Sequence, residues 1–201
     1  MDELDLIKKD WQKRSQDLPK YSKDELVPML HKKSSSNVKW IFIISILEFA
    51  FWIALELLNT GQDYMTLIEG EVFFWFMRIS TVVNYIILVG FIFLFFRNYL
   101  KIQVTDSSKK LMRQIIKTRQ TVKYYVRYNV VFFTIVFILA SLKVITEETE
   151  LYTREFWIVV GVMAFVLLII IGFLLIFYFV LYGFLTRRLH KNYKMLNQME
   201  M

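Results

Sequence analysis

The chain has 201 residues, of which 56% are hydrophobic and 17% aromatic, and its formal net charge is +7. It contains no cysteine, which excludes disulfides, thiolate metal sites and cysteine nucleophiles. Two prolines and six glycines are too few for an all-β protein with many tight turns, and the apolar residues form long blocks with the charges between them. The composition therefore predicts an all-α, polytopic membrane protein.

The first 36 residues are polar and precede the first apolar block. We predict a cytoplasmic amphipathic helical segment over 1–36, without a cleavable signal peptide. Leu4, Ile7 and Trp11 recur at helical spacing, and Ser22–Glu25 has the form of a capping box that would begin a second, short helix. The first helix would lie either on a membrane surface or partner, or on the protein's own cytoplasmic helices.

Four apolar stretches follow, each close to the roughly 20 residues with which a helix crosses the hydrocarbon core of a bilayer. We place the spans at about 38–58, 72–96, 128–145 and 156–183, within a transmembrane domain of residues 37–201. The fourth stretch is longer than a bilayer requires, so this span should tilt or project beyond the membrane. The expected fold is a bundle of four transmembrane helices.

Lysine and arginine predict the orientation of these spans, because cytoplasmic loops carry an excess of both. They are frequent before span 1, between spans 2 and 3, and after span 4. The 59–71 loop has three acids and no basic residue, and the 146–155 loop has one arginine against four glutamates. Both termini are therefore expected in the cytoplasm.

Helices 3 and 4 should extend past the membrane on the cytoplasmic side. No helix breaker occurs between Ser108 and Ile145, so a helix over 106–127 should continue into span 3. A second extension is expected over 184–199. Apolar stripes run along both extensions, at Leu111, Ile115, Thr118, Val122 and Tyr125 and at Leu185, Leu189, Asn192 or Tyr193, Leu196 and Met199. Antiparallel helices with such stripes at one level should pack together as a cytoplasmic hairpin.

Basic residues coat the expected hairpin, and a solvated face under the positive-inside bias explains most of them. An alternative is a docking surface for anionic headgroups or for an acidic protein partner. No nucleic-acid-binding motif occurs, and we expect no nucleic-acid partner. The basic surface comprises Lys109, Lys110, Arg113, Lys117, Arg119, Lys123, Arg187 and Arg188.

Polar residues at membrane depth are costly and need partners. Spans 1 and 2 should be antiparallel neighbours, and counting from their outer ends predicts two contacts, Glu56–Arg78 and Glu48–Asn84. The first is best interpreted as a structural clamp. Glu48 has no cation at its depth, so it could line a proton or cation path or bind a partner's cation. It could also be a neutral acid bonded to Asn84 or Ser45. Polar contacts would then lie almost entirely between spans 1 and 2.

Catalytic motifs of the common hydrolase, nucleotide-binding and metalloprotease types do not occur. His31 and His190 lie at the expected cytoplasmic edge without accompanying ligands, so no metal site is expected. Ser45, Thr134 and Ser141 are isolated and should bond to their own helix backbones. We therefore predict a protein that is not an enzyme and holds no cofactor.

The stretch His31–Phe49, after a polar start, resembles uncharacterised four-span inner-membrane proteins of flavobacteria and their relatives. The resemblance implies a location in the bacterial inner membrane and supplies no activity. The leading hypothesis is an accessory or scaffold subunit of a membrane complex. Its partners would be membrane lipids, including anionic headgroups, and a membrane protein or further copies of the chain. The alternatives are a small oligomeric channel or transporter that uses Glu48 and, third, a membrane enzyme.

Overall fold

The computed structural model describes residues 23–59, 71–105, 107–150 and 152–200, and within these ranges every regular element is helical. A π-helical turn, Phe179–Gly183, joins the last two helices into one continuous rod. The α-helices are α1 (Lys23–Asn59), α2 (Glu71–Gln103), α3 (Ser108–Glu148), α4 (Arg154–Tyr178) and α5 (Phe184–Glu200). The amphipathic helix expected around Leu4 to Trp11 lies outside the described residues.

Four helical stretches are long and apolar enough to cross a membrane, which confirms the predicted all-α class and the number of candidate spans. They are Glu25–Leu58, Glu71–Gln103, Ser108–Glu147 and Arg154–Gln198. Each exceeds the roughly 20 residues that a bilayer core requires. Each of the four helical stretches therefore continues beyond its apolar section into more polar residues.

Helix α1 runs through the boundary expected between residues 36 and 37 without a break. Pro28 lies inside this helix. It is in the second turn of the helix. Proline has no amide hydrogen to donate, so one carbonyl in the first turn lacks its intrahelical donor, close to the helix end. The short helix expected to begin at the Ser22–Glu25 capping box and the first span are therefore one continuous element.

Caps and a reversed turn separate α3 from α4. Thr149 is the C-cap residue of α3, and its amide donates a hydrogen bond to the Ile145 carbonyl at 3.2 Å. Thr153 caps α4 by accepting a hydrogen bond from the Phe156 amide, also at 3.2 Å. Tyr152, in the connection, has a φ of 64°, a left-handed conformation that non-glycine residues seldom adopt. This residue lets the chain reverse within a few positions, so the two helices pack as antiparallel neighbours.

The helices form a ring in which each lies beside its neighbours in sequence. Helix α1 packs against α2, α2 against α3, and α3 against both parts of the α4–α5 rod. The rod closes the ring mainly through α5, which packs against the first part of α1. The extension of the last helix therefore contacts two helices, α1 and α3, rather than α3 alone.

Fully buried side chains are concentrated in one half of this ring, here called the closed half. It comprises residues 30–48, 84–102, 111–129 and 174–196, and Ile145 is the one described residue outside these ranges that is fully buried. In the other, open half, large apolar side chains such as Leu58, Trp157 and Leu168 are exposed. Lipid or another protein would cover such faces in a membrane.

Candidate functional site

Glu48 is the most deeply buried carboxylate among the described residues, with 6% of its surface exposed. Its two carboxylate oxygens accept hydrogen bonds from the hydroxyls of Tyr178, at 2.8 Å, and Tyr182, at 2.9 Å. Asn84, its predicted partner, instead accepts a hydrogen bond from the Tyr128 hydroxyl at 3.0 Å. The predicted Glu48–Asn84 contact is therefore wrong, because the rod rather than α2 supplies the donors.

Aromatic rings surround the Glu48 carboxylate. The ring of Tyr125, on α3, packs edge-on against Tyr182 and Tyr178, with centroids 5.6 and 6.0 Å apart. Phe95, on α2, packs against Tyr125 with centroids 5.5 Å apart. Side chains from all four parts of the ring therefore belong to the cluster of Glu48 and these rings, and the polar contacts are not confined to the first two helices as expected.

The π turn lies at this meeting point. Tyr178 directly precedes the turn and Tyr182 lies within it. A π turn accommodates more residues per turn than an α-helix, and such turns are frequent at functional sites. The sequence did contain a signal for these two residues. They are the only hydroxyl-bearing side chains in the apolar stretch 156–183, and their spacing of four places them on one helix face.

Glu56 and Arg78 form the predicted ion pair, with nitrogen and oxygen 3.8 Å apart. The Tyr85 hydroxyl also donates a hydrogen bond to Glu56, a contact that the sequence analysis missed. The Glu56 and Arg78 side chains are 37% and 59% exposed. This clamp between α1 and α2 therefore lies at the surface of the open half, whereas Glu48 lies inside the closed half.

Short polar side chains bond within their own helices at two of the three predicted positions, Ser45 and Thr134. The Ser45 hydroxyl donates to the Phe42 carbonyl and the Thr134 hydroxyl to the Val130 carbonyl, both at 2.7 Å. A cavity of about 180 Å³ lies beside Asn84 between α1, α2 and α3, and Glu48 does not line it. The buried carboxylate and this cavity are therefore separate features.

Hydrogen bonds between helices continue towards the end of the closed half. The Asn192 amide of α5 donates to the buried Ser34 hydroxyl of α1 at 3.0 Å. Nε2 of His31 lies 2.6 Å from the Ile102 carbonyl oxygen, and His190 Nδ1 lies 2.8 Å from an Arg119 nitrogen. Each histidine therefore has its own partner. In the described ranges, no three histidine, aspartate or glutamate side chains lie together in a group that could hold a metal.

The predicted basic surface divides into two parts. Arg119 and Lys123 line a groove of about 590 Å³ between α3 and the rod, together with Arg127, which the predicted set did not include. Outside the groove, Arg187 lies over the Phe179 ring, 4.6 Å from its centroid. The remaining basic residues of the set are Lys109, Lys110, Arg113 and Lys117, exposed on α3, and Arg188, whose guanidinium stacks on Phe184 at 3.9 Å.

Residues 24–201 match the model of a family described as a domain of unknown function, DUF8845. The chain belongs to the DUF8845 family. No curated protein and no solved structure matches it. The DUF8845 match includes all four candidate spans and the whole closed half, so the buried glutamate and the basic groove both lie within the family's domain. The resemblance to flavobacterial four-span proteins stays a prediction.

Two chemical capacities follow from the geometry of this DUF8845 domain. A carboxylate that accepts two phenol hydrogen bonds ties α1 to the rod, and it could also take up a proton if the phenols moved away. A groove lined by three cations at one end can bind an anion. The first capacity belongs to the interior of the bundle and the second to its surface.

Proposed function

We propose that the protein is a non-enzymatic integral membrane protein that acts as an accessory or scaffold subunit of a membrane complex. The observation that carries this proposal is the uneven packing of the ring. The closed half has a core of fully buried side chains, whereas Ile145 is the one described residue of the open half that is fully buried, and its large apolar side chains are exposed on several helices. A rigid closed half with unpartnered apolar helix faces beyond it suits a subunit that binds another membrane protein through its spans.

The proposed setting is the bacterial inner membrane, with the closed half towards the cytoplasm. The three segments rich in lysine and arginine all adjoin this half, as the positive-inside bias requires. The first part of α3 and helix α5 would then form the cytoplasmic hairpin, with the first part of α1 packed beside them. Side chains at its surface would meet anionic lipid headgroups or a cytoplasmic partner.

A small oligomeric channel or transporter is the second candidate, and the environment of Glu48 is the observation that favours it. The hydrogen bonds from Tyr178 and Tyr182 to the carboxylate both come from the segment around the π turn, so a rearrangement of one turn would break both. Unbroken helices favour the scaffold instead, since discontinuous helices are typical of transporter sites. Pro28 is the only proline inside a described helix, and it lies before the apolar section of α1.

Purification of the tagged full chain from native membranes in mild detergent distinguishes the two proposals. A scaffold should copurify with a membrane protein in fixed stoichiometry, and Glu48→Gln should leave the amount of partner unchanged. Two double alanine variants remove exposed apolar side chains of the open half: F165A/L168A and F76A/I79A. At least one of them should reduce the amount of copurified partner. Phe93→Ala is the matched control, since Phe93 is equally exposed but belongs to the closed half.

A different result would support the second candidate. The chain would then purify as a homo-oligomer, conduct protons or ions in reconstituted vesicles, and lose this flux on Glu48→Gln. Purification as a monomer, with neither a partner nor a flux, would contradict both proposals.

A further inference from the structure

The groove between α3 and the α4–α5 rod has a cationic end. Arg119, Lys123 and Arg127 are spaced four residues apart on α3, and all three line the groove. None of the described residues that line it carries a carboxylate. Arg119 contacts His190, but its Nε is buried without a hydrogen-bond acceptor within the described structure. The groove therefore concentrates positive charge and contains one buried donor that lacks an acceptor.

The groove becomes apolar in the direction of the open half. Val130 and Val131 continue the α3 wall beyond the cations, and Leu175 and Phe179 line the groove on the rod. From Arg119 to Val131 the wall extends for 12 residues, or about 18 Å along the helix axis. One surface thus combines a cationic end with an apolar channel that leads into the membrane-spanning section.

We propose that this groove binds one anionic phospholipid, with its phosphate on Arg119, Lys123 and Arg127 and one acyl chain along Val130 and Leu175. The inference rests on the membrane location proposed above. Lysine and arginine at the membrane surface attract anionic headgroups, and a volume of about 590 Å³ is within the range of roughly 300–1,000 Å³ of ligand pockets. The apolar continuation favours a lipid over an acidic peptide, because a peptide would have to leave its polar backbone in the apolar section.

The lipid would also support the buried glutamate. Tyr178 and Tyr182 line the groove and hold Glu48 at the same time, so these two rings form a wall between the lipid site and the carboxylate. A bound acyl chain would restrict the movement of this wall.

Native mass spectrometry of the purified full chain in detergent tests the proposal, with phosphatidylglycerol as the anionic lipid and phosphatidylcholine as the zwitterionic one. One phosphatidylglycerol should bind per chain. The triple variant R119Q/K123Q/R127Q should bind it on the order of 100-fold more weakly, since each basic residue near the headgroup contributes roughly fivefold. The matched control K110Q/R113Q/K117Q removes the same charge from exposed positions of α3 outside the groove and should change affinity less than about twofold.

Two further pairs of variants keep the test independent of folding. K123Q/R127Q changes only exposed side chains and retains the Arg119–His190 contact, and it should still weaken binding on the order of 20-fold relative to R113Q/K117Q. In the apolar section, Val131→Trp should fill the groove and weaken binding. Ile135→Trp, one turn further along α3 and equally exposed, should not.

Several results would overturn the proposal. If the groove and control variants lost the same affinity for phosphatidylglycerol, the attraction would be unspecific. If phosphatidylcholine bound as well as phosphatidylglycerol, the groove would bind only the apolar part of a lipid. Competition by soluble glycerol 3-phosphate as strong as that by the lipid would indicate a site for small phosphates. An acidic protein lost with the groove variants, at unchanged lipid binding, would indicate a protein-docking surface. Binding in detergent requires neither a partner subunit nor a given orientation, so it can fail or succeed independently of the scaffold proposal.

Discussion

At the residue scale, the interior of the closed half depends on two phenol hydroxyls. Taking a carboxylate out of water costs several kcal/mol unless hydrogen bonds replace the lost hydration. Tyr178 and Tyr182 provide two such bonds to Glu48, and their rings pack against Tyr125 beside the carboxylate. Removal of the phenols should therefore cost more than removal of the carboxylate and the phenols together.

The double variant Y178F/Y182F should lose about 3 kcal/mol of stability, because Glu48 stays buried after losing both phenol hydrogen bonds. Addition of Glu48→Leu should restore much of the loss, since three apolar side chains can pack against one another. Thermal unfolding of the purified protein in detergent measures both effects. Tyr124→Phe is the control, as Tyr124 is exposed on α3. A loss in Y178F/Y182F no larger than in this control would contradict the Glu48 contacts.

At the scale of single helices, α5 is the element that closes the ring. Its buried stripe comprises Leu185, Leu189, Asn192 and Leu196, which packs against α1 as well as α3. The stripe predicted for α3, from Leu111 to Tyr125, is also fully buried. Residue spacing predicted both stripes, but it predicted that they pack only against each other. Since α1 begins well before its apolar section, its first turns occupy the third side of the same core.

The Asn192–Ser34 hydrogen bond offers a test of this three-helix contact. Asn192→Ala should destabilise the protein by about 2 kcal/mol, because it leaves the buried Ser34 hydroxyl without its donor and opens a cavity. The double variant S34A/N192L removes both polar groups and should recover most of this loss. Thermal unfolding in detergent again provides the measurement, with the exposed Gln198→Ala on the same helix as control. An effect of Asn192→Ala as small as that of the control would mean that α5 does not pack on α1.

At the scale of the whole molecule, charge and packing coincide. The half with the buried core is also the half next to the lysine-rich and arginine-rich segments, whereas acidic residues dominate the connections of the other half. Packing in water gains from the hydrophobic effect, which is absent between helices that are surrounded by lipid. In the proposed orientation, part of this core would extend beyond the membrane into water, where burial of apolar surface is favourable.

The proposed orientation can be measured directly, since the chain contains no cysteine that would interfere with labelling. In intact cells, a membrane-impermeant maleimide should label Gln62→Cys. Lys109→Cys and Lys191→Cys should react only after permeabilisation, because both lie at the end proposed to be cytoplasmic. Labelling of Lys109→Cys or Lys191→Cys in intact cells would reverse or refute the proposed topology.

Features that depend on nearby residues could be predicted from the sequence. Lengths of apolar blocks predicted four candidate spans, helical spacing predicted the stripes of α3 and α5, and a short loop between two spans predicted the Glu56–Arg78 pair. The partners of Glu48 could not be predicted in this way, because they lie 130 and 134 residues away and are set by the packing of the helices. The contact of Glu48 with Tyr178 and Tyr182 depends on the rotation of the rod around its own axis. The π turn and the packing of α5 on α1 together determine this rotation. Residue spacing along one helix contains no information on such a rotation relative to a distant helix.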